Sequence, residues 1–361
     1  MPDISFVNEY AERFARNISG KNCHFICVIS YTKTCEIPGI TVAGANAEIV
    51  KYTPAADVEF LYHGECRCVK TVPATADGKP TPALITRAAL NSANIPLTVV
   101  DSGSMIKPDL PFHPFDVMYG DNIANGHALD IGDVKKAFER GVELGKNAGK
   151  NECVIIGESV PAGTTTALGV LLSMGIDARY RVSSSMPENP HHLKLSIVQR
   201  GMKACNIKFG ELANKPFKAI SHMGDPMMPA VAGIAIGAAE NAHVMLAGGT
   251  QMAAVLAVIS SLNKSALERV AVGTTKYILD DRASDIRTLI TSIADVPIIS
   301  CDPHLERSKK KGLHAYADGF VKEGVGAGGA CIAAMLNGID GERLLRKIEG
   351  EYERAIENFQ S

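Results

Sequence analysis

Two glutamates, Glu158 and Glu323, each stand at the mouth of a glycine-rich turn that opens into an apolar segment. The first lies in Val154-Ile155-Ile156-Gly157-Glu158-Ser159-Val160-Pro161-Ala162-Gly163-Thr164-Thr165. A β-branched run, a turn and a helix-forming stretch predict strand, turn and helix in that order. Unpaired N–H groups and the positive end of the helix dipole then make the helix start a seat for a phosphate. Gly157, Gly163, Thr164 and Thr165 are the expected cradle. No Gly-Lys-Ser/Thr follows, and the three-glycine dinucleotide spacing is absent, so a monophosphate suits the turn better than a nucleoside triphosphate with magnesium. A plain strand-to-helix connection capped by Thr164 is the alternative.

The second glutamate lies in Phe320-Val321-Lys322-Glu323-Gly324-Val325-Gly326-Ala327-Gly328-Gly329-Ala330. A carboxylate hemmed in by glycine and apolar residues has its pKa raised, which suits a general base near neutral pH. Gly324 and Gly326 let main chain approach a ligand closely. The alternative is a solvated glutamate in a helix-capping turn. A third segment, Tyr277-Ile278-Leu279-Asp280-Asp281, has the apolar-then-two-acids pattern of enzymes that use phosphoribosyl pyrophosphate. Arg282-Ala283-Ser284 stands where that motif continues Thr-Gly-x-Thr, so Arg282 and Ser284 are assigned phosphate or carboxylate contacts near a helix start. A capped surface helix with solvated charges is the competing reading.

Metal chemistry finds little footing. Neither Cys23/Cys27 nor Cys66/Cys68 has Cys-x-x-Cys spacing, and no second half-site follows. The nine cysteines are expected as mostly buried free thiols. His191 and His192 are adjacent on a helix and point different ways, so they make no metal pair. No metal and no cofactor are expected.

The elements that must position these residues alternate along the chain. Strands are expected at 24–30, 58–62, 97–101, 153–157, 244–248, 270–273 and 297–301. Helices are expected at 81–93, 133–148, 164–174, 191–204, 228–240, 251–262, 284–294 and 327–337. This is the pattern of an α/β fold with a doubly wound, mostly parallel sheet, whose ligands bind beyond the carboxyl ends of the strands. Loops are expected at 33–46 and 74–82. Ile4, Val7, Phe14 and Ile18, and again Leu345, Ile348, Tyr352, Ile356 and Phe359, mark amphipathic helices at the two ends. They are expected to pair as a small helical lobe, 1–20 plus 339–361, outside a catalytic domain of 21–338. The small-residue run 232–239, with Gly233 and Gly237, is read as a tight packing surface, with a ligand-facing wall as the alternative.

Composition sets the remaining bounds. The chain has 361 residues, 46% hydrophobic and 21% charged, with net charge −2. No basic stripe points to nucleic acid and no polybasic tail to a membrane surface. The longest apolar run, 227–239, falls about a third short of the ~20 residues a bilayer demands. Residues 1–21 lack the apolar core of a signal peptide, so a cytoplasmic protein is expected.

Taken in order, the motifs resemble the nicotinate-nucleotide–dimethylbenzimidazole phosphoribosyltransferase family of cobalamin lower-ligand assembly. That family carries Gly-Glu-Met-Gly-Ile-Gly-Asn-Thr-Thr where this chain has Gly157 to Thr165. It carries Gly-Glu-Gly-Thr-Gly-Ala where this chain has Lys322 to Ala327. The small-residue helix, the strand after it and Thr98-Val99-Val100-Asp101-Ser102-Gly103 are also similar, from about Thr81 to Asn337. The chain departs from the family at Ala162-Gly163 and at Ala247, where an Asp belongs, and looks like a divergent, archaeal-type branch.

The resemblance implies a homodimer, a catalytic role for Glu323 and a second active-site carboxylate at Glu158. It implies transfer of ribosyl phosphate from nicotinate mononucleotide to a benzimidazole-type base. A nucleotide or phosphosugar hydrolase and a non-catalytic nucleotide sensor are the alternatives on the same fold.

Overall fold

The computed structural model describes residues 3–43, 48–69 and 79–360. Its strands are β1 Ile4–Phe6, β2 Cys23–Ile29, β3 Leu97–Asp101, β4 His113–Pro114, β5 Cys153–Ser159, β6 His243–Ala247, β7 Val270–Thr275 and β8 Ile298–Cys301. They form one sheet in the order β1-β8-β7-β6-β5-β2-β3-β4. Every neighbouring pair is parallel except β1 with β8. The helices are α1 Glu9–Ile18, α2 Thr53–His63, α3 Ala83–Ala93, α4 Ile131–Ala148, α5 Gly163–Ser173, α6 His191–Ala204 and α7 Pro216–Met223. They continue with α8 Met227–Ala239, α9 Gln251–Leu262, α10 Lys276–Leu279, α11 Ile286–Thr291, α12 Ala327–Leu336 and α13 Gly341–Gln360.

The interior strands are apolar on both faces because helices cover both. Ile26 and Val28 of β2, Val154 and Ile156 of β5, and Val244 and Leu246 of β6 join one core with α4 to α9. The alternate residues Phe25, Cys27, Cys153, Ile155 and Met245 join a second core with α1, α2, α3, α12 and α13. This is the two-residue period of a pleated strand read out on two sides. The chain builds β3 and β4 on one side of β2, then returns to its other side with β5. The switch point of the sheet therefore lies between β2 and β5, and ligand crevices form at such points.

Most of the expected elements are present with shifts of one or two residues. The doubly wound, mostly parallel α/β sheet is observed. Residues 58–62 are the exception: they lie inside α2, not in a strand. Pro54 opens that helix and Gly64, at φ +83°, ends it. Val58, Phe60 and Leu61 are all buried, and a short apolar run looks the same in a buried helix as in a strand. Residues 44–46 and 74–78 of the two expected loops lie outside the described residues.

The chain ends also differ from expectation. Residues 4–6 form an edge strand, and α1 packs on β1, β8 and α12 while α13 packs on α3. Phe14, Ile18, Leu344 and Ile348 all enter the second core. The terminal helices thus complete a layer of the sheet instead of standing apart as a lobe. Their apolar stripes find more surface on α3, α12 and β8 than on each other.

The small-residue run is a packing surface, in α8. A Cβ on Gly233 would meet the Phe138 carbonyl oxygen at 2.2 Å, and one on Gly145 the Ile234 oxygen at 2.2 Å. Backbones of α4 and α8 touch through glycines. All nine cysteines are free, and six of them are buried. No helix among the described residues is long and apolar enough to cross a membrane.

Candidate active site

A cavity of about 480 Å³ opens at the carboxyl edge of the switch point, a size suited to a small ligand. Glu158 and Glu323 both line it, together with Asp57, Gly163, Thr164 and Gly324. The two glutamate motifs are joined by main chain: Val325 N–H donates to the Glu158 carbonyl at 3.0 Å.

Glu323 rests on the N-terminus of α12. Its carboxylate accepts from the N–H groups of Gly328 at 3.1 Å, Thr275 at 3.0 Å and Gly324 at 3.3 Å. Burial pushes its pKa up to about 7, against the pull of those donors. The group is partly exposed to the cavity, so it is placed to exchange a proton there. The turn that carries it is strained: Val321 and Val325 sit at φ +46° and +53°. A β-branched residue in that region is a backbone outlier, and such strain concentrates at sites whose geometry is imposed from outside.

Glu158 is 2% exposed at the end of β5. It accepts from Val160 N–H at 2.9 Å and from the Gln251 amide at 3.1 Å. Burial, then the charges of Asp225, Glu323 and Asp57, push its pKa up to about 8. At pH 7 Glu158 is therefore a neutral acid, while Glu323 is poised between its two states. A pair of carboxyls held apart in this way divides proton donor from proton acceptor.

Asp57 and Asp225, both buried, complete a group of four acids, and both are pushed up to about 6 chiefly by burial. Asp57, on α2, accepts from the hydroxyls of Ser159 and Thr81, both at 2.7 Å. Asp225 accepts from Thr166 at 2.6 Å and from Met227 N–H at 3.1 Å. Asp57 faces the cavity and Asp225 lies behind Glu158.

The polar corner of the cavity is formed by Gly163, Thr164, Ser183, Ser184, Ser185 and Gly249. It gathers the N-termini of α5 and α9. Lys194, fully buried on α6, donates to the Thr164 hydroxyl at 3.0 Å and to the Ser183 carbonyl. Because the Thr164 oxygen accepts from Lys194, its own proton is free to donate into the cavity. Burial, then the charge of Lys322, lowers the Lys194 pKa to about 7. A bound dianion would hold this lysine protonated. Apolar side chains, Tyr52, Phe60, Leu84 and Ile278 among them, share the rest of the lining with Thr41, Thr53, Lys79, Thr81 and Ser159.

Of the residues assigned from the sequence, Glu158, Glu323, Gly163, Thr164 and Gly324 line the cavity. Gly157, Thr165 and Gly326 do not. Gly157 and Gly326 pack against each other and Phe25. Thr165 is fully buried, and its hydroxyl has no hydrogen-bond partner. Arg282 and Ser284 also lie outside the cavity: Arg282 is exposed, and the Ser284 hydroxyl donates to Asp281 at 2.8 Å. Ala162 sits at φ +62°, where the resembling family has glycine. Ala247 has its Cβ against the bare Cα face of Gly329, leaving that corner closed by α12.

Three residues of the site escape motif reading: Asp57 and Gln251, which line the cavity, and Lys194, buried behind it. Lys194 did carry a signal. It occupies the apolar stripe of α6 with Ile197, Val198, Gly201 and Met202, all buried. A lysine at a core position of an amphipathic helix is either snorkelling or held by partners.

A family model described as Phosphoribosyltransferase matches residues 81–276, over half of the chain. The UPF0284 protein of Archaeoglobus fulgidus is 47% identical, covering 92% of this chain and 94% of the relative. The corresponding protein of Methanothermobacter thermautotrophicus is 42% identical, covering 93% and 94%. Among solved structures, the nicotinate-nucleotide-dimethylbenzimidazole phosphoribosyltransferase of Thermus thermophilus superposes with a TM-score of 0.63, at 16% identity over 94% of this chain and 89% of that one. At that identity the likeness is one of fold.

Proposed function

Because the chain belongs to the phosphoribosyltransferase family, in a divergent archaeal-type branch, we propose that it transfers ribosyl phosphate from nicotinate mononucleotide to a planar aromatic base of the benzimidazole type. The observation that carries this reading is the meeting of Glu158 and Glu323 in one cavity whose polar corner is backed by Lys194.

The donor phosphate takes the corner of Gly163, Thr164 and the serines, with the dipoles of α5 and α9 and the Lys194 charge behind it. The ribosyl carbon is bonded to a pyridinium nitrogen. When that bond breaks, its electron pair returns to the ring and nicotinate leaves without needing an acid. A ring nitrogen of the acceptor attacks the opposite face of the sugar and inverts it. The proton on the acceptor's other nitrogen passes to Glu323, a transfer worth roughly 10²–10⁴-fold in rate. Holding two substrates in line contributes at least as much. Glu158 stays neutral as a hydrogen-bond donor. The reading carries with it a homodimer in the cytoplasm, whose subunit number sedimentation measures.

The test is a mass-spectrometric product assay with nicotinate mononucleotide and a panel of benzimidazoles and phenols. An α-ribotide plus nicotinate is expected. Nicotinate release without any acceptor would make the protein a hydrolase. Binding that raises the melting temperature without turnover would make it a sensor.

A further inference from the structure

The loop that leaves β8 carries three metal-ligand side chains on alternate residues, Asp302, His304 and Glu306. One ligand atom from each lies within 4.8 Å of the others. None belongs to the cavity described above.

His304 is only 9% exposed. Its Nε2 lies 2.8 Å from Asp3 Oδ1, so this nitrogen carries the proton and donates to the carboxylate. In the neutral ring Nδ1 then keeps a bare lone pair. Nδ1 is buried with no hydrogen-bond partner, and Asp302 Oδ2 faces it at 3.3 Å. Two lone pairs at that separation repel each other unless a cation lies between them. Leaving such a nitrogen unsatisfied costs roughly 1–3 kcal/mol.

We propose that Asp302, His304 and Glu306 form a binding site for a divalent transition-metal ion of the zinc class, with Asp3 orienting the histidine. Metal bonds of about 2.0–2.1 Å at a tetrahedral angle put neighbouring ligand atoms roughly 3.3 Å apart, as Nδ1 and Asp302 are here. An imidazole beside carboxylates selects zinc or cobalt over magnesium and calcium, which prefer all-oxygen shells. The Asp3–His304 bond is the carboxylate–histidine pair that fixes the tautomer of a metal ligand. Tyr277 does the same for Glu306, donating to it at 3.0 Å. Water completes the fourth position.

The countercharge of the metal-free cluster is Lys276, whose Nζ lies 2.8 Å from Asp302 Oδ2 and 3.9 Å from Glu306 Oε1. Its side chain is 36% exposed, enough to swing into solvent as an ion enters. Metal and ammonium therefore compete. Asp3 precedes β1 and Asp302 follows β8, so the ion would pin the edge strand to its neighbour. Its effect is on stability and not on the transfer chemistry.

The full chain, stripped with chelator, is titrated with Zn2+ by calorimetry and with Co2+ by visible absorption. One strong equivalent, a tetrahedral cobalt band and a raised melting temperature are expected. His304→Gln and Glu306→Gln should each weaken binding at least tenfold, and Asp3→Asn roughly tenfold. Lys276→Gln should tighten it about tenfold. Circular dichroism checks that each variant is folded, and the exposed Glu306 is the safest to change. If wild type and Lys276→Gln both bind no metal, His304 is an imidazolium held between Asp3 and Asp302, and the proposal fails. It fails equally if folded His304→Gln or Glu306→Gln binds as tightly as wild type.

Discussion

Gly157 and Gly326 meet backbone to backbone: a Cβ on Gly326 would lie 2.9 Å from the Cα of Gly157, and one on Gly157 would lie 3.0 Å from the Cα of Gly326. Each glycine precedes the helix of its own motif. Their contact, with the Val325-to-Glu158 hydrogen bond beside it, brings the two acidic turns to one cavity.

Gly326→Ala should therefore damage both stability and activity. The new methyl meets Phe25 Cζ at 2.8 Å as well as Gly157, and the residue sits at φ +69°. A loss of roughly 2–3 kcal/mol is expected from overpacking and backbone strain together. Urea unfolding measures it, and an unchanged midpoint would show that the two turns do not depend on this contact.

Glu323→Gln should lower transfer by about 10²–10⁴-fold while the nucleotide still binds. The amide keeps the shape but accepts no proton. Product formation by mass spectrometry and donor affinity by calorimetry separate the two effects. Full activity in the variant would remove Glu323 from the reaction.

Stability of the unliganded protein should fall as pH rises from 5 to about 7.5 and then level off. Glu323 and Glu158 are raised to about 7 and 8, mainly by burial, against an ordinary 4.5. The folded chain thus holds protons that the unfolded chain releases. Their contribution is complete below the ordinary value and is lost as pH passes through the raised ones. Asp57 and Asp225 add the same trend at lower pH. Lys194, lowered to about 7, works in the opposite direction above that pH and ends the decline near pH 8. Glu158→Gln should flatten the upper part of the decline in melting temperature; a profile identical to wild type would show that Glu158 ionises normally.

Lys194→Met keeps the packing of α6 and removes the charge behind the polar corner. The KM for a phosphate-bearing donor should rise about tenfold or more with kcat nearly unchanged, since the phosphate does not react. An equal loss in kcat alone would place Lys194 in the chemistry instead.

The sheet was legible because burial leaves a local trace. Residues 97–101 read as a strand, and 191–204 and 251–262 as helices, with the boundaries observed. Their apolar periods are written within a dozen residues. Residues 58–62 misled because a short apolar run does not separate a buried helix from a strand; Glu59 within it is buried in α2 and accepts from the N–H groups of Arg67, Cys68 and Asp109. A buried polar residue satisfied by distant backbone looks like a surface residue in one dimension.

The chain alone determined that two acidic glycine turns would each lead a helix, and that strand and helix would alternate around a parallel sheet. Those properties follow from local backbone preference and side-chain period. Only the tertiary structure decided that the turns share a cavity, that Asp57, Lys194 and Gln251 join them, and that Arg282 and Ser284 stand outside. Convergence depends on strand order, which places β2 beside β5 and sends the chain back across the sheet. The distance between two residues in space is set by that order, and no short stretch of sequence encodes it.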